Sequence, residues 1–127
     1  MADSFKITGV WKEDGNFYYT DDEGNPRSES MNPVELLAAA LVSCTGKTMH
    51  AIINKMKISH KGFTITGLAR MADDKISRVA SLKIDAFIHG IQMSDAQQSK
   101  VLKLTEKYCV ITQTLKQGAE VDLNIRS

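Results

Sequence analysis

The residues of this chain best suited to chemistry are its two cysteines, Cys44 in NPVELLAAALVSCTGKTM and Cys109 in KYCVITQTL. Their separation in sequence excludes the two-residue spacing of zinc and thioredoxin-type motifs. Each falls on the apolar face of its own expected helix, so two helices sharing one core could bring the sulfurs together. Two roles are open at this point. Free cysteines are often small buried packing residues; a reactive cysteine instead works as a thiolate, which needs a nearby cation. Arg27, in the polar loop DDEGNPRSES, is the candidate cation. A guanidinium stays charged when partly buried and can donate to oxygen atoms. His50, His60 and His89 have no metal-ligand spacing, so neither a metal nor another cofactor is expected.

The elements that must position these residues follow from local pattern. FKITGVWKEDGNFYYT reads as a hairpin, with strands at Phe5–Trp11 and Phe17–Thr20 around the turn EDGN. A long helix starts at Asn32–Pro33, an Asx cap followed by proline at the first helical position. Leu37, Ala40, Leu41, Cys44, Thr48, Ala51 and Ile52 recur at helical spacing. Leu36, Ala39 and Val42 make the opposite side apolar too, which predicts a central helix buried nearly all round. Gly62–Ala72 and Ile76–Gly90 alternate with period two about Asp73–Asp74, a second hairpin that needs one bulge to keep register. Ser94 caps a second helix carrying Val101, Leu104, Tyr108 and Cys109. VITQTLKQG makes a further short helix, and AEVDLNI a last strand with Val121, Leu123 and Ile125 inward. The order is ββαββααβ, an α+β chain without βαβ repeats.

Residues 1–127 make a single domain by size. A formal net charge of +1 leaves no electrostatic footprint for nucleic acid or an anionic membrane. The start MADSFKITGVW lacks the charged and apolar regions of a signal peptide. No uninterrupted apolar run approaches the roughly 18 residues of a membrane span. A cytoplasmic protein is expected, in which thiols are held reduced.

The motif NPVELLAAALVSC, followed by KYCVITQTL with Thr112 three residues after Cys109, resembles the OsmC/Ohr family of thiol peroxidases. Chain length and element order agree with it over nearly the whole chain. The resemblance implies an OsmC-like fold, two antiparallel hairpin regions around a long central helix, in a tightly intertwined homodimer with both cysteines at the subunit interface. It implies an organic hydroperoxide as substrate and a dithiol, such as a lipoyl-type reductant, as partner. Cys44 would attack the peroxide, Cys109 would resolve the sulfenate as a disulfide, and Arg27 would favour the thiolate. Peroxidase members hold that arginine with a glutamate directly after Asn-Pro; here Val34 occupies that place and Glu35 comes one later. At 100° per residue, position 35 lies about 180° from Cys44 around the helix. Glu35 then complements the helix dipole, and Asp22 or Glu29 could hold Arg27. Val110 likewise stands where proline is usual after the second cysteine. The alternative function is an OsmC-like protein that binds a small apolar ligand without turnover.

Overall fold

The computed structural model describes residues 3–90 and 92–126. Its strands β1 (Ser4–Trp11) and β2 (Phe17–Thr20) form the first hairpin, in a register running from Trp11↔Phe17 to Thr8↔Thr20. The turn closes as Lys12 N–H donates to the Asn16 carbonyl at 2.9 Å, and Asp14 accepts from both amides of Asn16. Gly15 supplies the left-handed φ of +90° that the turn requires.

Strands β3 (Phe63–Met71) and β4 (Val79–Ile88) form the second hairpin. Because β3 also pairs with β1, the two hairpins merge into one antiparallel sheet in the order β2-β1-β3-β4. The expected bulge is present. Register passes from Arg70↔Ser81 to Met71↔Val79, so Ala80 is the extra residue. It turns Val79 onto the same face as Leu82 and Ile84, and all three pack on the core.

Helix α1 (Pro33–Lys55) begins with a reciprocal capping box. Asn32 Oδ1 accepts from the Glu35 N–H at 2.8 Å, and Glu35 Oε1 accepts from the Asn32 N–H at 3.1 Å. The helix lies on the sheet, where Ala38, Ala39 and Val42 join Ile7, Trp11, Phe63, Ile65 and Ala69 in the main core. The approach is close because small residues line it. A β-carbon built on Gly9 or Gly67 would come within 3.0 or 2.7 Å of the Val42 methyls. One built on Gly46 would overlap the Trp11 indole. Further along, Met49 and Ile53 share a second core with Ile58 and with Val101 of α2 (Asp95–Tyr108). Ser94 and Gln97 form the capping box of α2. Helix α3 (Val110–Gln117) follows after a single residue, packs on α1, and ends at Gly118 with φ of +80°.

Two expectations fail here. Helix α1 is not enclosed on all sides: Leu36 is 55% exposed, and Ala40, Lys47 and Ala51 are exposed as well. One four-stranded sheet and two short helices cannot cover its whole circumference. The final strand is also missing. Residues 118–126 pair with no strand among the described residues, and Val121, Leu123 and Ile125, expected inward, are 89%, 92% and 97% exposed. Their alternation has no sheet face of this chain to meet. By length and hydropathy α1 could cross a membrane, although no uninterrupted run suggested it. Its packing on the sheet accounts for that apolarity.

Candidate functional site

Cys44 sits mid-way along α1, between two points where the helix is pinned to the sheet. Val42 fits over Gly9 and Gly67 on one side of it, and Gly46 against Trp11 on the other. Cys109 is the single residue between α2 and α3. Its backbone is extended (φ −76°, ψ 109°), so the chain turns at the sulfur-bearing residue itself. The Cys109 N–H donates to the Thr105 carbonyl at 2.9 Å, and its carbonyl accepts from the Gln113 N–H at 3.1 Å. Both cysteines are free thiols; Cys109 is fully buried and Cys44 half-buried.

The two thiols are close enough for each to shift the ionisation of the other. They do not share their surroundings equally. Burial pushes the Cys44 thiol above the ordinary value, against the opposing pull of the Ile111 N–H, and the adjacent Cys109 raises it further. Burial acts on Cys109 in the same sense, but there it is outweighed. The Thr112 hydroxyl, the Cys44 thiol, the Thr112 N–H and the Thr45 hydroxyl together bring Cys109 below the ordinary value. Thr45 Oγ1 stands 3.9 Å from Cys109 Sγ. The two thiols titrate as an interacting pair.

Cys44 opens on a cleft of about 1000 Å³ between α1 and α2. Ile52, Met56, Leu104, Tyr108 and Val110 give it an apolar lining, and Lys47, Lys55 and Lys100 bring positive charge to it. Apolar surface with a few charged groups suits an amphipathic small molecule.

Arg27 is elsewhere. Its Nη2 donates to Glu35 Oε2 at 2.9 Å, its Nε to the Glu29 carbonyl at 3.3 Å, and Nη2 to the Ser30 carbonyl at 3.4 Å. The paired side chains are only 16% and 15% exposed. The Asn32 N–H, followed by Arg27, holds the Glu35 carboxyl below the usual range despite its partial burial. Glu35 is thus the acid that holds Arg27. Asp22 lines the same polar recess, and Glu29 contributes its carbonyl. The angular comparison with Cys44 misses this pairing because the capping box directs the carboxylate back past Asn32, towards the preceding loop. Glu35 precedes Cys44 by about 13 Å of helix rise and about two and a half turns, which puts it on the opposite side of the helix. Within one chain the structure joins Cys44 to Cys109 and Arg27 to Glu35, but not the first pair to the second.

Thr45 is the residue of the thiol site that the sequence did not single out. A hydroxyl adjoining a cysteine is its only local signal. The histidines take other places. The His50 and His60 rings lie 5.6 Å apart, and His60 Nδ1 accepts from the Gly62 N–H at 2.9 Å. His89 meets Thr64 across the sheet at 3.0 Å.

Several solved structures share this fold. An OsmC-like hydroperoxide resistance protein from Jannaschia sp. CCS1 superposes with a TM-score of 0.71 at 18% identity, covering 98% of this chain and 93% of that one. The organic hydroperoxide resistance protein OhrB of Bacillus subtilis gives 0.58 at 12% identity, over 91% and 90% of the two chains. An organic hydroperoxide resistance protein OsmC from Legionella pneumophila gives 0.58 at 14%, over 91% and 89%. A search of curated proteins finds no significant match. The family model for OsmC-like proteins matches residues 24–124, a segment that contains Arg27, Glu35, Cys44 and Cys109, and the chain belongs to that family.

Proposed function

We propose that this protein is a thiol-dependent peroxidase that reduces organic hydroperoxides through Cys44 and closes a Cys44–Cys109 disulfide. One observation carries the reading: two reduced thiols are neighbours, one facing an apolar cleft and the other buried behind it. The Cys44 sulfur attacks the terminal peroxide oxygen, the O–O bond breaks, and the alkoxide leaves as the alcohol. Cys109 then attacks the sulfenic sulfur and water departs. A disulfide needs Cα atoms within about 7 Å, a condition that neighbouring thiols on adjoining helices can meet. An external dithiol of lipoyl type returns the pair to its reduced form by exchange. The fold shared with hydroperoxide resistance proteins supports the reading.

The working unit in this proposal is a cytoplasmic homodimer. The uncovered side of α1 and the alternating arm at Val121, Leu123 and Ile125 support it, since both are apolar surfaces that one chain leaves open. The outer edge of β4 is free in the sheet order and long enough to receive such an arm. In that assembly Arg27 and Glu35 of one chain act on the Cys44 of the other, because the helix separation keeps them from their own.

Cys44→Ser tests the enzyme reading. Thiol-dependent consumption of an alkyl hydroperoxide should vanish in the variant while its melting temperature stays close to wild type. Equal rates in the two proteins would end it. The binding alternative draws on the raised Cys44 thiol and the remoteness of Arg27. It expects no turnover in either protein and uptake of an apolar probe by both.

A further inference from the structure

The three histidines take no part in the thiol chemistry, yet they gather at one end of the sheet. His60 lies in the connection from α1 to β3 and is buried. Its Nδ1 accepts from the Gly62 N–H at 2.9 Å, so Nδ1 is bare and the ring hydrogen sits on Nε2. Gly62 has no freedom to turn away. Its carbonyl accepts from the His89 N–H, and the Lys61 N–H donates to the His89 carbonyl, both at 2.9 Å. A β-carbon built on Gly62, whose φ is +92°, would overlap the Trp11 carbonyl oxygen. The connection is also tightly wound. Lys57 has a left-handed φ of +58°, alone among the described residues other than glycine.

A proton added to Nδ1 of His60 would meet the Gly62 N–H donor to donor, and a backbone amide cannot turn round as a side-chain amide can. His50 differs. Its Nε2 donates to the Glu13 carbonyl at 3.3 Å, since a carbonyl only accepts, and its Nδ1 faces the Asn54 amide nitrogen at 3.4 Å. Asn54 can rotate to offer its oxygen instead. We propose that His60 is a proton-operated latch. Neutral, it closes the connection from α1 to β3 against β1; charged, it must leave that place, which frees Gly62 and loosens the seat of Trp11 on Gly46.

The titratable and charged groups around His60 are His50 on α1, Glu13 in the turn between β1 and β2, and Lys57 in its own connection. Lys61 and His89 stand beside the start of β3 and the end of β4. Burial, and then the His50 ring, hold His60 below its ordinary value, with Glu13 opposing them. The unfolded chain therefore takes up this proton first as pH falls. Stability is lost from about pH 6.5 down to the lowered folded value. The effect has a path into the core. The His50 and His60 ring centroids lie 6.2 and 5.8 Å from that of Phe63, which stacks on Trp11 at 5.4 Å. Trp11 packs on Gly46, two residues from Cys44. Acid thus reaches the helix of Cys44 through the core, whether or not the thiols turn over.

Trp11, the chain's only tryptophan, reports on the latch. In the reduced protein without peroxide, three signals are followed from about pH 8 to about pH 5, the range in which histidine titrates. They are the melting temperature, the Trp11 emission and the nuclear magnetic resonance shift of the His60 ring. Wild type should lose melting temperature on acidification, with the emission changing along the same curve and the His60 ring charging below its ordinary value of about 6.5. Glu35 stays outside this window, because its carboxyl is held below about 4.3. His60→Asn puts an oxygen near the place of Nδ1, where it can accept from Gly62 without titrating. Whatever its stability at neutral pH, this variant should lack most of the acid loss, and His50→Gln should keep it. An acid loss of wild-type size in His60→Asn, a His60 ring charged at or above its ordinary value, or a flat emission curve in wild type overturns the latch. If His60→Asn fails to fold, the ring titration in wild type decides alone.

Discussion

Glu35→Gln isolates the charge of the Arg27–Glu35 pair from its geometry. Glutamine keeps an acceptor for the Asn32 N–H, so the capping box, which accepts either residue, survives. The anionic acceptor facing Arg27 Nη2 at 2.9 Å is lost. A hydrogen bond to a charged group contributes about 1.5–3 kcal/mol. Glutamine retains part of this through its own carbonyl, and Arg27 keeps the Glu29 and Ser30 carbonyls. The expected loss is therefore about 1–2 kcal/mol, or a fall in melting temperature of roughly 3–10 °C for a chain of this size. The pair is mostly buried, so added salt should screen it only weakly. The pH dependence has a definite sign. The folded Glu35 carboxyl lies below its ordinary value of about 4.3. The stability it confers is fully present above that value and is lost as pH falls through the lowered folded value. Urea denaturation of wild type and variant at fixed protomer concentration, from neutral pH downward, measures the gap. A gap of zero at neutral pH, or one that persists unchanged in acid, would falsify the account of Glu35 as the charged partner.

Two further changes test the frame around the site. Gly46→Ala should destabilise the protein by up to about 2 kcal/mol, because overpacking against the Trp11 indole costs about 1–3 kcal/mol and the gain in helix propensity returns only about 1; a rise in melting temperature would contradict the close contact. Removing residues 119–127 should convert a dimer into single chains in light scattering, and a full-length protein that already runs as a single chain would refute the dimer.

What the sequence made legible was whatever is decided within a few residues. Asn32–Pro33 marks the start of α1 because an amide cap and a proline lacking an N–H both suit a helix N-terminus. A bulge in β4 was legible, though not its place at Ala80, because Val79 and Leu82 can share a face only if one residue is added to the strand. Features decided by distant partners were not. Alternation at Val121, Leu123 and Ile125 describes what a strand would bury, not whether this chain leaves a sheet edge to take it. The apolar circumference of α1 likewise records what could be covered, not what covers it. The Arg27–Glu35 bond lay between these cases. Its residues were in view, but the direction of the carboxylate depends on the capping box rather than on the helical angle to Cys44.

The separation of the ion pair from the thiols decides where thiolate stabilisation originates in a single chain. At about 13 Å along the helix, a lone guanidinium near the surface would lower the energy of a thiolate by about 1 kcal/mol. Arg27 is not alone. Glu35 is bonded to it and carries the opposite charge, so the two fields nearly cancel at the distance of Cys44. Arg78 is bonded to Asp74, and Lys47, Lys55 and Lys100 line the cleft onto which Cys44 opens. The donors left are uncharged: the hydroxyls of Thr45 and Thr112 and the N–H groups at the start of α3. Uncharged donors act over contact distance only, so within one chain any stabilisation of a thiolate comes from groups that touch the sulfurs, and a guanidinium can reach Cys44 only from another chain.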